Sequence, residues 1–583
     1  MSKLFRLFTL SFLILSASLS LAATRPSTEY ELQTDLKIQT PDGATISGMM
    51  VRAKGVNHAL PVILQFTIYA RPHDRDLESL KDAADHGYVG VIFYSRGKYL
   101  SEDEIWPYEF DGRDAHTAIE WISKQAWCNG SIGMYGGSYN GFTQWAASKY
   151  MHPALKTIVP MVAGKPGMGL PMENNIFVNP NYQWTFYVGN NRLLDNAINN
   201  DRQRFRQLMF NWWHSGRPYR EIDQIDGTPN KWLQKWLMHP SFDAYWRAMT
   251  PNDQEFSGIK IPVLTIDGYY NDSQVSSINY VRDHFKYFPQ AEHYLVIGPY
   301  GHFGAQRGGE PVLNDLRIHD AALFDIKALT FAWFDHILKG QARPEFLKDR
   351  VNYFPIGESQ WRHAQSLDAM HDGNLRFYLS TNRDKDAYKL TDTKPTSSRA
   401  LIQNVKLKDR AHTYNDYYPA PIVRDEIDRS SGYVFRSEPL KQDLLINGSF
   451  SGELLASINF RDFDFGLTLY ELTPDGKYFH LSYTIQRASH NRDPRQRQLI
   501  VPNTITRFPL TQTRLISKRL NKGSRIVVYL NVNKNPFSQV NYGSGKDVSD
   551  ETPKDAKRDL RVRWLNQSFI DIPVLGLPTL TSN

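Results

Sequence analysis

Four nearly unbroken apolar runs, "LPVILQFTIYA", "YVGVIFYSRG", "GSIGMYGGS" and "TIVPMVAG", recur between Leu60 and Gly164, separated by helix-like stretches. A strand with one wet face alternates polar and apolar residues, whereas a strand covered on both faces is apolar throughout. Runs of the second kind, alternating with amphipathic segments, point to a mostly parallel sheet packed between helices. "DGRDAHTAIEWISKQ" supplies one such helix, with Ala115, Ala118, Ile119 and Ile122 on a single face. Upstream, "LKIQTPDGATISGMMVRA" alternates with period two about Pro41-Asp42-Gly43, a hairpin signature. Downstream, "IPVLTIDGYYND" and "HYLVIGPYGH" resume the buried strands, and "DAALFDIKALTFAWFDHILKG" reads as a long closing helix.

Two other blocks differ in character. Residues from about 170 to 255 are rich in Asn, Trp and Arg, with helical stretches such as "NDRQRFRQLMFNWWHSG" and "PNKWLQKWLMHPSFDAYWRAM". We read this block as a helical cap inserted between sheet strands. Its tryptophans (Trp184, Trp212, Trp213, Trp232, Trp236, Trp246) could line an apolar pocket, although such residues are more often core. After Gly340 the segments are short and alternating, with Asp-Gly and Lys-Gly turns, as in "SGELLASINF" and "FGLTLYELTPDGKYFHLSY". That pattern predicts an all-β sandwich or jelly roll. The expected division is residues 23–345 for the α/β part and 346–583 for the β part.

With 583 residues, 41% of them hydrophobic, the chain can bury more than one core. A net charge of +7 is small beside 68 basic and 61 acidic residues, so no nucleic-acid partner is expected. At the N-terminus Lys3 and Arg6 precede the apolar run Leu7–Leu15, and Ser20-Leu21-Ala22 offers small residues where a signal peptidase reads. Residues 1–22 are therefore expected to be a signal peptide, cleaved near Ala22–Ala23, sending the protein to the periplasm or outside the cell. The run falls short of the roughly 20 apolar residues of a spanning helix, so no stable membrane insertion is expected after cleavage. Cys128 is the only cysteine, so no internal disulfide can form, and a buried structural thiol is expected. The histidines show no His-x-x-x-His spacing, and "NYGSGKD" lacks the spacing of a phosphate-binding loop. No metal and no cofactor are expected.

Chemistry concentrates at "GMYGGSYNGFTQW", where four glycines surround Ser138 between an apolar run and a helix-like stretch. Either the glycines only make a tight corner, or the corner is a nucleophile elbow that thrusts one hydroxyl outward. The strict Gly-x-Ser-x-Gly pattern fails, because Gly136 is followed by Asn140 at the second glycine position and glycine comes one later, at Gly141. A serine nucleophile also needs a base and an orienting acid. Asp272 follows one later buried strand and His302 the next, in the chain order Ser, acid, His of α/β-hydrolases.

These segments resemble the cocaine esterase / α-amino-acid ester hydrolase / X-Pro dipeptidyl-peptidase group of serine hydrolases. "QAWCNGSIGMYGGSYNGFTQWAAS" is similar to that family's serine segment, whose second glycine falls where Gly141 is. "GPYGH" is similar to its Gly-Pro-Trp-x-His, and "GYYND" to its Gly-(aromatic)-Tyr-Asp. The resemblance spans nearly the whole mature chain. It implies an α/β-hydrolase domain with an inserted cap and a C-terminal jelly-roll domain of galactose-binding-like type. It further implies Ser138 as nucleophile and His302 as general base. The oxyanion hole would combine the backbone N–H of Tyr139 with the hydroxyl of Tyr69. The substrate would be a small ester or a short peptide, Xaa-Pro dipeptides included.

The sequence departs from that family at two places. The family's triad aspartate falls at Asn271, so Asp272 becomes the expected acid, with Asn271 and Asp267 as the alternatives. The family's Asp-x-Arg-Gly loop appears as "YSRG", with Tyr94 in the aspartate's place; a structural role is expected for Arg96 and Gly97. A peptidase would also need a carboxylate for a free α-amine, for which Glu173, Asp195, Asp243 and Asp267 are conceivable. The expectation is an exported serine hydrolase acting through an acyl-enzyme. The alternative is a degenerate hydrolase fold that binds carbohydrate or peptide.

Overall fold

The computed structural model describes residues 28–415 and 417–576; the expected signal peptide and its cleavage point lie outside them. A ten-stranded sheet dominates the first part. Its strands are β1 (Tyr30–Gln39), β2 (Thr45–Ala53), β3 (Leu60–Thr67), β4 (Val89–Tyr94), β5 (Cys128–Gly137), β6 (Leu155–Met161), β7 (Val263–Tyr270), β8 (His293–Gly301), β9 (Val351–Tyr353) and β10 (Arg362–Ala364). Across the sheet they run β1-β2-β4-β3-β5-β6-β7-β8-β9-β10.

β1 and β2 pair antiparallel around the Pro41-Asp42-Gly43 turn. From β4 through β9 every neighbouring pair is parallel. β4, β7 and β8 are buried at every position, which is why their sequences lack polar alternation. Because the central strands point one way, the segments leaving β3, β5, β7 and β8 all emerge at one edge. That is the edge where open α/β sheets gather ligands.

Helices cover both faces. They include α1 (Arg75–Asp85), α2 (Asp111–Ser123) and α3 (Tyr139–Lys149). In α2 the buried face carries Ala115, Ala118, Ile119 and Ile122. Within the cap come α4 (Pro180–Gly189) and α5 (Arg202–Ser215), and beyond it α6 (Gln274–Tyr287) and α7 (Ile326–Lys339). The last helix starts later than "DAALFDIKAL" suggests, because the Asp325 carboxylate caps it by accepting from Ala328 N–H at 2.9 Å. In the cap, Trp212, Trp213, Trp232, Trp236 and Trp246 are all buried and belong to the core.

The last two strands of this sheet, β9 and β10, lie just beyond the expected division at 345/346 and cover the edge that β8 would otherwise expose. From Gly373 onward the chain builds a second, 14-stranded arrangement. Its pairing is antiparallel except where Ala387–Thr391 meets Gly432–Arg436. Within it Asp464–Leu472 lies between Tyr478–Arg487 and Arg525–Val532. The overall architecture is an α/β-hydrolase domain with a helical cap, joined to a C-terminal β domain.

The two parts share polar contacts. Tyr270 donates its hydroxyl hydrogen to the His480 carbonyl at 3.0 Å. Gln274, on α6, donates to the Leu515 carbonyl at 3.0 Å and accepts from Leu515 N–H at 2.7 Å. Arg487 reaches the carbonyl of Asn175 at 2.6 Å. Among the described residues no helix is long and apolar enough to cross a membrane.

Candidate active site

β5 ends at Gly137 and α3 begins at Tyr139, which leaves Ser138 alone at the corner. Its backbone stands at φ 62° and ψ −119°, outside the regions an L-residue ordinarily occupies. Strain of this kind, of order 1–3 kcal/mol, persists only where the surroundings enforce it. The neighbouring glycines are part of that enforcement. Gly136 has φ 137°, and a Cβ there would come within 2.7 Å of the Asn140 Cβ. On Gly141 a Cβ would sit 2.9 Å from the Ala163 Cα, where α3 passes the exit of β6. The glycine is therefore required at 141, while Asn140 has room at 140.

Tyr139 anchors the start of α3. Its hydroxyl donates to Asp111 Oδ2 at 2.6 Å and accepts from Tyr108 N–H at 2.9 Å. Its side chain is thus committed to the core, and only its backbone N–H, at a helix N-terminus, remains to face a ligand. Tyr69 follows β3. Its hydroxyl accepts from Trp184 Nε1 at 3.2 Å, and the residue lines the same cavity as Ser138. Burial dominates its environment and raises its pKa, so the phenol keeps its proton.

His302 follows β8 directly, in a helical turn that Gln306 braces by donating to the His302 carbonyl at 2.9 Å. Its Nδ1 lies 2.8 Å from Asn271 Oδ1 and 3.1 Å from Asp272 Oδ1. Both atoms are acceptors, so Nδ1 carries the proton and Nε2 is left as the basic nitrogen of the neutral ring. Asn271 is buried, whereas the Asp272 side chain faces the cavity with 57% of its surface open. Asp272 lines the cavity together with His302. Burial raises its pKa, but the His302 charge and hydrogen bond, the Ser273 N–H and Arg514 together outweigh that and hold it low. For His302 burial works downward, and Asp272 with a smaller contribution from Asp267 reverses it, leaving the imidazole above its ordinary value.

Asp267 lies in β7, four residues before Asn271, and does not touch the ring. Its Oδ1 accepts from Gly268 N–H at 2.6 Å and from Asn271 Nδ2 at 2.8 Å. The other conceivable amine-binding carboxylates have partners of their own. Glu173 forms a bidentate pair with Arg514 at 2.7 and 2.8 Å. Asp195 caps a helix at Ile198 N–H, and Asp243 caps another at Tyr245 N–H. Arg96 is held by Asp114 and Asp42, and Tyr94 by Asp76, so the "YSRG" turn is a structural clasp.

Ser138, Tyr69, Tyr139, Asp272 and His302 line one cavity of about 660 Å³. Trp184 is the cap tryptophan that reaches it; the other five are packed away. Sequence reasoning overlooked Arg514, which lies 242 residues from Asp272 along the chain yet donates to its main-chain carbonyl at 3.2 Å. It also overlooked the Asp267–Asn271 contact, for which the four-residue spacing at a strand end was the available signal.

Comparison with known proteins bears on the family and the fold. Residues 42–304 match the X-Pro dipeptidyl-peptidase S15 family, and residues 346–562 match the X-Pro dipeptidyl-peptidase C-terminal non-catalytic domain. The chain belongs to this family of serine hydrolases. A cocaine esterase of Rhodococcus sp. (strain MB1 Bresler) is 25% identical over 505 residues, covering 79% of this chain and 83% of that one. Among solved structures, an aminopeptidase from a marine sediment Thaumarchaeota archaeon superposes with a TM-score of 0.78 at 18% identity, over 97% of this chain and 100% of that one. An α-amino-acid ester hydrolase superposes with a TM-score of 0.77 at 20% identity, over 96% of this chain and 100% of that one. At such identities the two structures speak to the fold, and they share the hydrolase and β-domain arrangement.

Proposed function

We propose that the protein is an exported serine hydrolase that cleaves a small ester or short peptide through an acyl-enzyme on Ser138. The Ser138 oxygen attacks the substrate carbonyl carbon while His302 Nε2 takes its proton. The resulting oxyanion is held by the Tyr139 N–H and the Tyr69 hydroxyl. His302 then passes the proton to the leaving group as the carbonyl–leaving-group bond breaks. Water, deprotonated by the same nitrogen, releases the acid and restores the serine. Asp272 compensates the imidazolium charge, and Asn271 shares the Nδ1 proton. The observation that carries this reading is the strained backbone of Ser138 at the rim of a cavity shared with His302.

Each oxyanion donor is expected to contribute about 3 kcal/mol to transition-state binding. Between ester and Xaa-Pro amide, we favour the ester. The four carboxylates conceivable as α-amine holders are each engaged by protein groups. Export rests on the basic and apolar leader at residues 1–22.

A fluorophosphonate probe tests the nucleophile: labelling of Ser138 in the wild type, and its loss in Ser138→Ala, is expected. Well-folded protein that takes up no probe would overturn the proposal. A panel of chromogenic acyl esters and Xaa-Pro anilides then tests the bond class. Turnover confined to the anilides would overturn the preference for esters.

A further inference from the structure

The contact of His302 with an asparagine poses a chemical problem. A carboxylate presents an acceptor whichever way it turns, but an amide has one acceptor end and one donor end. If the Asn271 amide were turned over, Nδ2 would face His302 Nδ1. That arrangement leaves Asp272 Oδ1, at 3.1 Å, to hold the Nδ1 proton unaided and shifts the balance toward the ring tautomer with its proton on Nε2, which cannot act as a base toward Ser138. Something must fix the amide.

Four contacts define its orientation. On one side Nδ2 donates to Asp267 Oδ1 at 2.8 Å. On the other, Oδ1 accepts from the Ser273 N–H and the Ser273 hydroxyl, each at 3.2 Å. The same Oδ1 faces His302 Nδ1 at 2.8 Å. Asp267 is fully buried within β7, and Gly268 N–H pins its Oδ1 at 2.6 Å. When ionised it is an obligatory acceptor and requires the donor end of the amide, while the Ser273 N–H, an obligatory donor engaged more closely by Asp272 Oδ1 at 2.8 Å, makes only a longer 3.2 Å contact with the acceptor end. The Ser273 hydroxyl can rotate to suit either end.

From this geometry we infer that Asp267 is a positioning residue, holding the Asn271 amide so that its oxygen faces His302 Nδ1. The duties of a single triad aspartate are thereby divided. Asn271, set by Asp267, fixes the tautomer and the ring plane, and Asp272 supplies the charge. This rests on the catalytic reading above for its consequence in turnover, but the orientation itself is independent of turnover.

The test therefore has two readouts on the full-length mature protein. The first is ¹⁵N NMR of histidine-labelled protein, with His302 assigned by its loss in His302→Gln and read at a pH where the ring is neutral. Wild type is expected to show the proton on Nδ1. Asp267→Leu, which removes the acceptor, is expected to move a substantial fraction to Nε2. Asp267→Asn keeps a carbonyl oxygen able to accept from Asn271 and is expected to retain the Nδ1 form. The second readout is kinetic. Asp267→Leu is expected to lower kcat at least tenfold with KM changed less than about twofold, and Asp267→Asn to recover most of that loss.

Should Asp267→Leu fail to fold, the exchange of the two groups carries the test. Asn271→Asp alone sets two carboxylates against each other, whereas Asp267→Asn combined with Asn271→Asp restores a hydrogen bond of reversed direction. The double variant is expected to exceed the single Asn271→Asp at least tenfold in kcat and to regain its lost Tm. An unchanged tautomer in folded Asp267→Leu, equal damage from Leu and Asn, or no rescue in the double variant would overturn the inference. Absence of Ser138 labelling in wild type would instead overturn the catalytic reading and leave the NMR outcome to decide this one.

Discussion

Arg514, carried by the β domain, donates a hydrogen bond to the main-chain carbonyl of Asp272 at 3.2 Å. The same guanidinium closes a bidentate pair on Glu173, with both side chains almost wholly withdrawn from water. The C-terminal domain thus supports the segment that bears the acid of the proposed triad.

Removing that guanidinium should hurt stability and turnover by separate routes. Arg514→Met leaves Glu173 buried without a partner, at an expected cost of about 3–5 kcal/mol. Chemical denaturation measures this directly. In the double variant Glu173→Met/Arg514→Met most of the stability should return, but the Asp272 carbonyl remains unsupported and kcat should stay low. Full recovery of kcat in the double variant would show that Arg514 matters only as the partner of Glu173.

For Asp272→Asn, kcat should fall by about 10²-fold, less than the roughly 10⁴-fold known where the only acid of a triad is neutralised. The smaller figure follows because Asn271 still accepts the Nδ1 proton. Steady-state kinetics on a chromogenic ester reads this, and a rate near wild type would move the charge role elsewhere.

The pH dependence has a definite sign. His302 acts as a base only when neutral, and its pKa is raised by Asp272 and Asp267 against the downward pull of burial. The acid limb of kcat/KM should therefore have its midpoint above the ordinary imidazole value of about 6.5. In Asp272→Asn that limb should move to lower pH. Stability runs the other way: the ion-pair contribution is complete below the unfolded pKa and is lost as pH rises through the folded one. The protein is expected to be held best by this pair where it is least active. A midpoint at or below 6.5 in wild type would contradict the assignment.

Tyr69→Phe removes one proposed oxyanion donor and leaves the ring packing in place. A fall in kcat of about 10²–10³-fold is expected, with little change in Tm. Equal losses in the binding of a ground-state analogue and in kcat/KM would show a substrate-binding role instead.

Gly141→Ala tests why glycine stands one place later than the usual elbow pattern. The added methyl would meet the Ala163 backbone at 2.9 Å and the Met161 carbonyl at 3.0 Å. Overpacking of this kind should destabilise by about 1–3 kcal/mol, seen as a lowered denaturation midpoint. Asn140→Ala should be far milder.

Much of the hydrolase half is legible from sequence because β3, β4, β7 and β8 are covered on both faces and so read as apolar runs. The location of Ser138, Asp272 and His302 after β5, β7 and β8 follows from the same kind of run. The hydrogen-bonding partner of His302 Nδ1 was not legible, because a one-residue difference in the loop after β7 brings both Asn271 and Asp272 within 3.1 Å of the ring. The β domain hides more. Tyr478–Arg487 alternates as though one face were wet, yet all ten residues are buried. Its polar residues face protein instead: Arg487 bonds the Asn175 carbonyl and Ser482 the Arg514 carbonyl. Alternation tells a polar face from an apolar one, and cannot tell water from a second domain.

The backbone at Ser138 carries one last implication, for anyone who would improve this protein by selection. At φ 62° and ψ −119° a glycine would sit more comfortably than any residue with a side chain. Directed evolution scored on heat resistance alone would thus favour Ser138→Gly and drift toward a hardier, inert product. Libraries should keep that codon fixed, and the melting gain on releasing it would measure how much robustness the molecule forgoes to present its hydroxyl.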